Sequence, residues 1–309
     1  MLRGWIPILL LAACGYESDL VACGELLCPA GSTCTANDTC NNPLLPDGDG
    51  DGVIDLDDNC VLESNDSQSD VDHDGVGDEC DNCPLLPNTE QKNVGDADEV
   101  GDGCDPHPTL DGDCLVLVDS FRTPELFPLH WRVFHATGDS STFTPGDGFV
   151  QITPGGTGGA TTAVLEGTTP YTGRFDVQIR AEAALGANGS IGALSAGGAG
   201  QGYICGVGRD NVGAAVELPN QTLQPTINPL LAEPVGDDLL LWLSVPAGTR
   251  KDLLCRATYG LALGVASYLD APLFEGVAGF GVSGDPVKVQ AFAMFRFTPG
   301  AACAKPIVR

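Results

Sequence analysis

Basic residues are scarce in this chain. Its 309 residues include 14 lysines and arginines against 42 aspartates and glutamates, which gives a formal net charge of -28 and a pI near 4.1. Phosphates would repel such a chain, so nucleic acid is excluded as a partner. Long apolar runs are also missing, since residues 239–245 are apolar but far shorter than the roughly 20 residues of a membrane span.

The negative charge is concentrated in one segment. Residues 47–113 carry 22 acidic side chains and a single basic one, Lys92, so 21 of the 28 net charges lie there. Apolar side chains are few between 47 and 105, so hydrophobic burial cannot offset the entropy of ordering this segment. Without cations it should repel itself and expand. We therefore expect cation binding to supply much of its folding free energy.

Two aspartate loops recur in this segment at a spacing of 23 residues. Each has carboxylates at positions 1, 3, 5, 9 and 12 and glycine at position 6, the order of a twelve-residue calcium loop whose position 7 offers a main-chain carbonyl. Magnesium fits less well because it demands octahedral geometry and keeps its waters. We predict at least two Ca²⁺ ions, with these ligands: Asp47, Asp49, Asp51, Val53, Asp55 and Asp58, then Asp70, Asp72, Asp74, Val76, Asp78 and Asp81.

A third, weaker copy follows. The predicted ligands at positions 1, 3, 5, 7, 9 and 12 are Asn93, Asp96, Asp98, Val100, Asp102 and Asp105, if Gly95 is an inserted residue. Glu99 stands where glycine belongs, so we expect weaker or different binding here. A solvated acidic linker is the usual explanation of such runs, but random acidity does not reproduce glycine, valine and cysteine in register.

The residues that follow each loop separate the array from other calcium motifs. An EF-hand or dockerin would continue with a helix, which Pro84 and Pro87 forbid here. The motifs are Asp81-Asn82-Cys83-Pro84, Asn65 with Gln68, Asn88 with Gln91, and Gly77-Asp78-Glu79-Cys80-Asp81. Residues 47–105 thus closely resemble the thrombospondin type 3 repeat family, departing from it at Val61 and in the third loop.

The resemblance implies a segment with little regular secondary structure, wrapped around calcium ions and closed by disulfides between neighbouring repeats. By this analogy Cys60 pairs with Cys80 and Cys83 with Cys104.

The first residues are typical of a secretory signal. Residues 1–13 have one positive charge and a short apolar core, and Leu11-Ala12-Ala13-Cys14 resembles a bacterial lipobox. The resemblance implies a lipid anchor at Cys14, with Gly15 favouring the outer membrane. An ordinary signal peptide with an incidental cysteine is the alternative.

Cysteine usage fits export to an oxidising compartment. Without Cys14, twelve of the 13 cysteines remain, an even number. A small block within 14–45 holds Cys23, Cys28, Cys34 and Cys40, for which we predict two disulfides of open connectivity. Zinc is the alternative, but the spacings and the lack of a nearby histidine fit a metal knuckle badly.

From Cys114 the composition changes to apolar segments separated by turn residues, and no helical period is evident. Nine such segments are predicted as strands: Cys114 to Phe121, His130 to His135, Gly148 to Thr153, Arg174 to Ala183, Gly202 to Val207, Leu239 to Val245, Leu261 to Tyr268, Val277 to Val282 and Val287 to Phe297. We predict a mostly β chain in which the repeat segment, 46–113, precedes an antiparallel β-sandwich, 114–309. Asp119-Ser120-Phe121 with Trp131, and the run 276–282, make the sandwich similar to the concanavalin-like (laminin G-like) jelly rolls. Cys114 with Cys303 and Cys205 with Cys255 are the expected bridges.

The sequence of the predicted sandwich contains no recognisable catalytic motif. No Glu-x-Asp-x-x-Glu run occurs, Asp176 and Glu182 lie too far apart along one strand, and we expect Trp131, Trp242 and Tyr203 to be core residues. The sequence thus favours a surface lipoprotein whose calcium-stiffened stalk presents a lectin-like sandwich for adhesion to a glycan or protein. The alternatives are a polysaccharide-active enzyme and a purely structural envelope protein. In a stalk arrangement, calcium removal should loosen residues 47–105 and spare the sandwich.

Overall fold

The computed structural model describes residues 21–24, 26–28, 32–34, 40–41, 46–135, 140–155, 160–165, 175–197, 201–218, 221–222, 226–232, 234, 236–247, 251–269, 271 and 276–309. The predicted signal segment and Cys14 lie outside this set. Helix is confined, in the described ranges, to the 3-10 turn Pro124–Leu126 and the short helix α1, Phe127–His130. No helix among these residues is long and apolar enough to cross a bilayer.

The strands are short and follow one another closely. In chain order they are β1 (Val21–Cys23), β2 (Leu26–Cys28), β3 (Thr33–Cys34), β4 (Cys40–Asn41), β5 (Asp113–Asp119), β6 (Trp131–His135), β7 (Thr142–Gly146), β8 (Phe149–Thr153), β9 (Ala160–Leu165), β10 (Asp176–Ala183), β11 (Ser190–Gly197), β12 (Gln201–Gly208), β13 (Asn211–Leu218), β14 (Gln221–Thr222), β15 (Thr226–Pro229), β16 (Asp238–Ser244), β17 (Leu253–Tyr259), β18 (Ala262–Tyr268), β19 (Gly276–Ser283), β20 (Val287–Phe297) and β21 (Ile307–Val308).

The chain divides into two compact units between Asp66 and Ser67. The first contains the loop at 47–58 and two small hairpins, in which β1 pairs with β2 and β3 with β4. A disulfide joins Cys23 to Cys34, which answers in part the connectivity that the sequence left open. Cys28 is also disulfide-bonded. The second unit contains the other two loops and all the later strands, so the sequence-based boundary at 113/114 falls inside it.

Two sheets form the body of the second unit. The first sheet has the order β18-β17-β16-β10-β20-β5-β21, with β8 beside β20 and β7 beside β8. The second sheet has the order β14-β13-β12-β11-β19-β9-β6, with β15 beside β13. All strand pairs are antiparallel except β21 with β5. The predicted fold class, a mostly β chain with an antiparallel β-sandwich, is confirmed.

The main core lies between the two sheets. Alternate residues of β10, Val177, Ile179 and Ala181, face this core and are fully buried. Trp131 is buried in an aromatic cluster with Phe121, Phe127, Phe280 and Phe292, and its ring nitrogen donates to Asp119 at 2.8 Å. The expectation that Trp131 belongs to the core is confirmed.

Two disulfides brace this body. Cys205 on β12 is bonded to Cys255 on β17, so this bridge joins the two sheets through the core. Cys114 on β5 is bonded to Cys303 near the end of the chain, closing a loop with a sequence separation of 189 residues. Both pairings match those suggested by the sequence. Long closed loops restrict the unfolded chain most in the chain-entropy model, which favours the folded state.

The outer face of the first sheet is covered by residues 83–104 of the repeat segment. Leu85, Val100 and the disulfide Cys83–Cys104 are buried there against the sheet. The sheet contributes to this second core with Val118, Leu240, Trp242, Ala291, Ala293 and Phe295. Because β16 is covered on both sides, Leu239 to Leu243 read as one apolar run rather than an alternation. The repeats therefore share a core with the sandwich.

Strand prediction succeeded where apolar residues were frequent. The nine predicted segments overlap β5, β6, β8, β10, β12, β16, β18, β19 and β20, and the segment Val287 to Phe297 matches β20 at both ends. Strands β7, β9, β11, β13, β14, β15, β17 and β21 were missed. His130 ends α1 rather than beginning β6, because Pro128 fits the first turn of a helix.

Candidate functional site

The first two aspartate loops have the same internal hydrogen bonds. In the first, Asp47 accepts from Gly50 N–H at 2.7 Å and from Gly52 N–H at 3.2 Å. In the second, Asp70 accepts in the same way from His73 and Gly75, at 2.8 and 3.0 Å. The loop therefore folds around its position-1 carboxylate, and the carboxylates at positions 3 and 5 cap the residues two further along.

Left-handed backbone is needed at two positions of these loops. Positions 4 and 6 have positive φ: 81° at Gly50, 101° at Gly52, 64° at His73 and 94° at Gly75. Glycine adopts these angles without strain, whereas His73 adopts one at a cost. The glycine at position 6, read as a turn residue from the sequence, has this role in both loops.

The structure brings the predicted ligands of positions 1, 3 and 5 together. One oxygen from each of Asp47, Asp49 and Asp51 lies within 4.8 Å of the others, and Asp70, Asp72 and Asp74 form the equivalent group. In the described part of the chain, the Oδ2 atoms of Asp49 and Asp72 are buried and accept no hydrogen bond. A buried carboxylate oxygen without a donor is costly, and a hard cation is the partner that such a group fits.

The position-9 carboxylates accept hydrogen bonds from the backbone of their own loops. Asp55, Asp78 and Asp102 accept hydrogen bonds from the backbone N–H groups of Gly48, Val71 and Gly95, at 2.7, 3.0 and 3.0 Å. The other oxygen of Asp78 accepts from Ser69 Oγ at 2.5 Å. These residues close the loop at position 2, and their role as direct ligands stays a prediction.

The residues after the second loop hold its last carboxylate. Asp81 accepts from Cys83 N–H at 2.8 Å and from Gln91 Nε2 at 2.7 Å. The Gln91 side-chain oxygen in turn accepts from Asn82 N–H at 2.8 Å. The Asn-x-x-Gln motif thus fixes position 12 of the loop before it. Cys60 and Cys80 are each disulfide-bonded, and their pairing with one another stays a prediction.

The third loop corrects the predicted alignment. The bond from Gly95 N–H to Asp102 is the position-2 bond of the other loops, and the Cβ direction of Gly95 points at the carbonyl of Pro108 as that of Gly48 points at Val61. Gly95 is therefore not inserted. It occupies position 2, so Val94 stands at position 1 and Asn93 precedes the loop.

The third loop still assembles carboxylates. Oxygens of Asp96, Asp98 and Asp105 lie within 4.8 Å of one another. Oδ2 of Asp96 and Oδ1 of Asn93 are buried and accept no hydrogen bond from the residues described. Neither Ala97 nor Glu99, at positions 4 and 6, has a positive φ. The predicted difference at Glu99 is thus visible in the backbone, because a residue with a Cβ does not make the glycine turn.

Burial and mutual repulsion act on these carboxylates. Desolvation, with the neighbouring charges of Asp81 and Asp74, raises the pKa of Asp72 to about 8 in the absence of a cation. Desolvation also raises the pKa of Asp81 to about 6, against the lowering effect of its bonds to Cys83 and Gln91. Ionised carboxylates are therefore destabilising here until a positive charge joins them.

A buried ionic cluster follows the third loop. His107 Nδ1 lies 3.0 Å from both carboxylate oxygens of Asp113, and His107 Nε2 lies 3.1 Å from the carbonyl oxygen of Val245. Asp176 is 3.9 Å from Nδ1 and accepts from Val245 N–H at 2.6 Å. Both ring nitrogens therefore lie within hydrogen-bonding distance of buried oxygen atoms. Sequence reasoning missed this cluster.

The cluster joins the loop to the first sheet. His107 lies two residues after Asp105, the position-12 residue of the third loop. Asp105 Oδ1 accepts a hydrogen bond from His107 N–H at 2.6 Å. Its partners come from β5, β10 and the residue after β16. Next along β10, Gln178 and Arg180 donate to the repeat carbonyls of Cys104 and Leu85, at 2.6 and 3.1 Å. The polar face of β10 is therefore a row of bonds to the repeats.

A shallow groove of about 370 Å³ lies on the outer face of the second sheet. Small residues of β12 and β13 line it, together with Ile204, Ile227 and several polar residues: Gly206, Gly208, Gly213 and Ala215, and Asn188, Ser190, Arg209, Asp210 and Asn211. None of the described residues that line it is aromatic. Asp176 and Glu182 lie at opposite ends of β10 and face the repeats or Lys288, so this predicted non-catalytic pair does not meet.

We expect calcium affinity to depend on pH in a direction set by Asp72 and Asp81. Their folded pKa values, about 8 and about 6, exceed the ordinary 3.8, so protonation favours the metal-free fold. That stabilisation is full below about pH 4 and is lost as the pH rises through about 8. Protons compete with calcium for the same oxygens, so calcium titrations at about pH 8 and about pH 6 should show weaker binding at the lower value. Equal affinities at both would contradict this expectation.

Comparisons with known proteins give structural similarity alone. No family model and no curated protein sequence matches this chain. The legume lectin-like domain from Entamoeba histolytica is 13% identical, over 57% of this chain and 93% of that one, with a TM-score of 0.41. Carbohydrate binding module CBM66 from Bacillus subtilis is 15% identical, over 54% and 92%, with a TM-score of 0.34. A prokaryotic β-1,3-1,4-glucanase (lichenase) derived from a mouse hindgut metagenome is 10% identical, over 58% and 97%, with a TM-score of 0.42. These structures include binding proteins and an enzyme, so the similarity does not separate these functions.

Proposed function

We propose that this protein binds Ca²⁺ through its aspartate loops, and that ions in the second and third loops hold residues 83–104 against the first sheet so that the sandwich is presented for binding. The observation that carries the proposal is the position-3 carboxylate. Asp49, Asp72 and Asp96 occupy this position in the three loops, and each has a buried Oδ2 that accepts no hydrogen bond from the described residues. Because the position-3 carboxylate has the same buried oxygen without a donor in all three repeats, one kind of ligand is indicated for all three.

The donor set favours calcium over other cations. The three groups of side chains that come together in the loops consist of aspartates alone, and carboxylate oxygens suit a hard cation. The loops are held mainly by their own backbone-to-carboxylate bonds, a flexible cage of the type that calcium accepts. When bound, the ion would neutralise carboxylates that otherwise repel one another. The residues that would hold the ions are Asp47, Asp49 and Asp51 in the first loop, Asp70, Asp72 and Asp74 in the second, and Asp96, Asp98 and Asp105 in the third.

The sandwich is the part that would meet a ligand. Its first sheet is covered by the repeats, so the outer face of the second sheet, with its groove, is the surface left for recognition. The polar residues and small side chains that line the groove suit a polar ligand such as a glycan or a protein loop. Together with the lipobox-like segment at Cys14, this supports an adhesion or binding role at the outer membrane.

Calcium titration of paired variants tests the proposal. The double variant Asp49→Asn with Asp72→Asn keeps side-chain size and removes the two position-3 charges. We expect it to lose two ions or to bind them more weakly by about tenfold or more. Asp57→Asn, an exposed residue of the first loop outside the carboxylate group, is the matched control and should bind like the wild type. Identical stoichiometry and affinity in all three proteins, measured by calorimetry and native mass spectrometry, would refute calcium binding at these loops.

A further inference from the structure

The third loop lacks the carboxylate around which the other two fold. Val94 stands at position 1, and its own N–H donates to Asp102. In the first two loops the N–H of position 4 donates to the position-1 aspartate, Asp47 or Asp70. A third loop built from residues 94–105 alone would leave that N–H without its carboxylate.

A residue outside the loop takes this role. The position-4 N–H of Ala97 donates to Asp111 Oδ1 at 2.9 Å. That distance compares with 2.7 Å for Gly50 to Asp47 and 2.8 Å for His73 to Asp70. Asp111 therefore occupies, relative to the third loop, the acceptor place of the missing aspartate.

The backbone beside Asp111 is fixed to the loop by a bond that all three repeats share. Oδ2 of the position-5 aspartate accepts from the N–H found 14 residues later: Asn65 for Asp51, Asn88 for Asp74 and Gly112 for Asp98, at 2.9, 2.6 and 3.1 Å. The residue before that N–H is Ser64, Pro87 or Asp111. The third repeat has valine instead of aspartate at position 1, and it is the repeat with an aspartate, Asp111, before the shared N–H.

Buried oxygen atoms of the third loop also point to a ligand. Oδ1 of Asn93 and Oδ2 of Asp96 are buried and accept no hydrogen bond from the described residues, although Asn93 donates to the carbonyl of Asp98 at 2.5 Å. Asp96 belongs to the group that it forms with Asp98 and Asp105, and the side chain of Asn93 is bonded to the backbone of Asp98. Oxygen atoms in this state fit a hard cation better than an empty apolar setting.

We propose that Asp111 is a ligand of a cation site in the third loop, replacing the position-1 aspartate from outside the loop. The inference rests on the proposed calcium function and adds a residue that the loop motif does not contain. The cation is Ca²⁺, and the third site is then completed by the chain that leads directly into β5.

Asp111→Asn in the full chain is the informative variant, with CaCl₂ alone as the probe. Asparagine keeps an oxygen that accepts from Ala97 N–H, so the backbone bond is preserved while the charge is lost. Asp111 is exposed, so the variant should fold. We expect native mass spectrometry and calorimetry to show one ion fewer, or one site weakened by about tenfold or more, with the remaining sites unchanged. Glu99→Gln, an exposed acid of the same loop, removes the same charge and should leave every site unchanged.

The outcomes separate this inference from the proposed function. If the wild type binds calcium and Asp111→Asn binds the same number of ions with the same affinities, Asp111 is a structural acceptor only and the inference is wrong. An equal loss in Asp111→Asn and Glu99→Gln would also overturn it, because general charge would then explain the effect. If the wild type binds no calcium, both the proposed function and this inference are wrong. Loss of one ion, or weakening of one site, in Asp111→Asn but not in Glu99→Gln supports the inference.

Discussion

Removing calcium is expected to lower the unfolding temperature of the β-sandwich as well as that of the repeats. The reason is the shared core, in which Leu85, Val100 and the Cys83–Cys104 bridge cover Trp242 and Phe295 on the first sheet. An ion at about 100 times its Kd contributes about 2.7 kcal/mol, so two loops contribute roughly 5 kcal/mol. In a unit of this size that corresponds to a fall of roughly 10–20 °C.

Thermal unfolding followed by near-ultraviolet circular dichroism, with and without chelator, measures this effect. Readded calcium should restore the transition, and magnesium should not. Two single variants provide a matched pair. Asp72→Asn changes the second loop, which belongs to the same unit as the sandwich, whereas Asp49→Asn changes the equivalent residue of the first unit. We expect the first to lower the sandwich transition and the second to leave it unchanged. A transition insensitive to chelator would show that the repeats do not stabilise the sandwich.

Replacing His107 by alanine is expected to destabilise the second unit by about 3–5 kcal/mol. His107 and Asp113 are completely buried, and Asp176 is nearly so. Without the imidazole, the buried carboxyl groups of Asp113 and Asp176 lose the ring that faces them, and breaking a buried polar network of this kind carries a penalty of this order. The unfolding temperature should fall by roughly 6–20 °C.

The control for this substitution is His73→Asn. His73 is exposed and has a φ of 64°, which asparagine tolerates. It should change the free energy of unfolding by less than about 0.5 kcal/mol. A double variant, His107→Gln with Asp113→Asn, replaces both partners of the contact and should lose less than the sum of its single changes. If His107→Ala unfolds like His73→Asn, the buried cluster does not hold the repeats to the sheet.

The sequence predicted the parts of the molecule that depend on local pattern. The strands around Val287 to Phe297 could be read because apolar residues recur there, and the loops at Asp47 and Asp70 because the ligand order is local. The strands β11 and β13 were missed because glycine and alanine replace the apolar residues that mark a strand. Small side chains leave no periodic signal, even where they line a groove.

Long-range partners were beyond the reach of local pattern. The expectation of a stalk that unfolds without affecting the sandwich does not fit the shared core, because Leu85 and Val100 are buried by residues more than a hundred positions later. The unbroken run at Leu239 to Leu243 was the available signal, since a strand apolar on both faces must be covered on both. Asp111 escaped notice for the same reason, as its role depends on a bond to Ala97 across 14 residues.

The direct test of metal-ordered repeats is anomalous diffraction from crystals grown with calcium. We expect one peak within about 2.3–2.6 Å of the Asp70, Asp72 and Asp74 carboxylates, with equivalent peaks at the first and third loops. Residues 83–104 should remain packed on the first sheet in those crystals. Carboxylates of Asp70, Asp72 and Asp74 that point away from one another at saturating calcium, with no peak between them, would contradict the central claim.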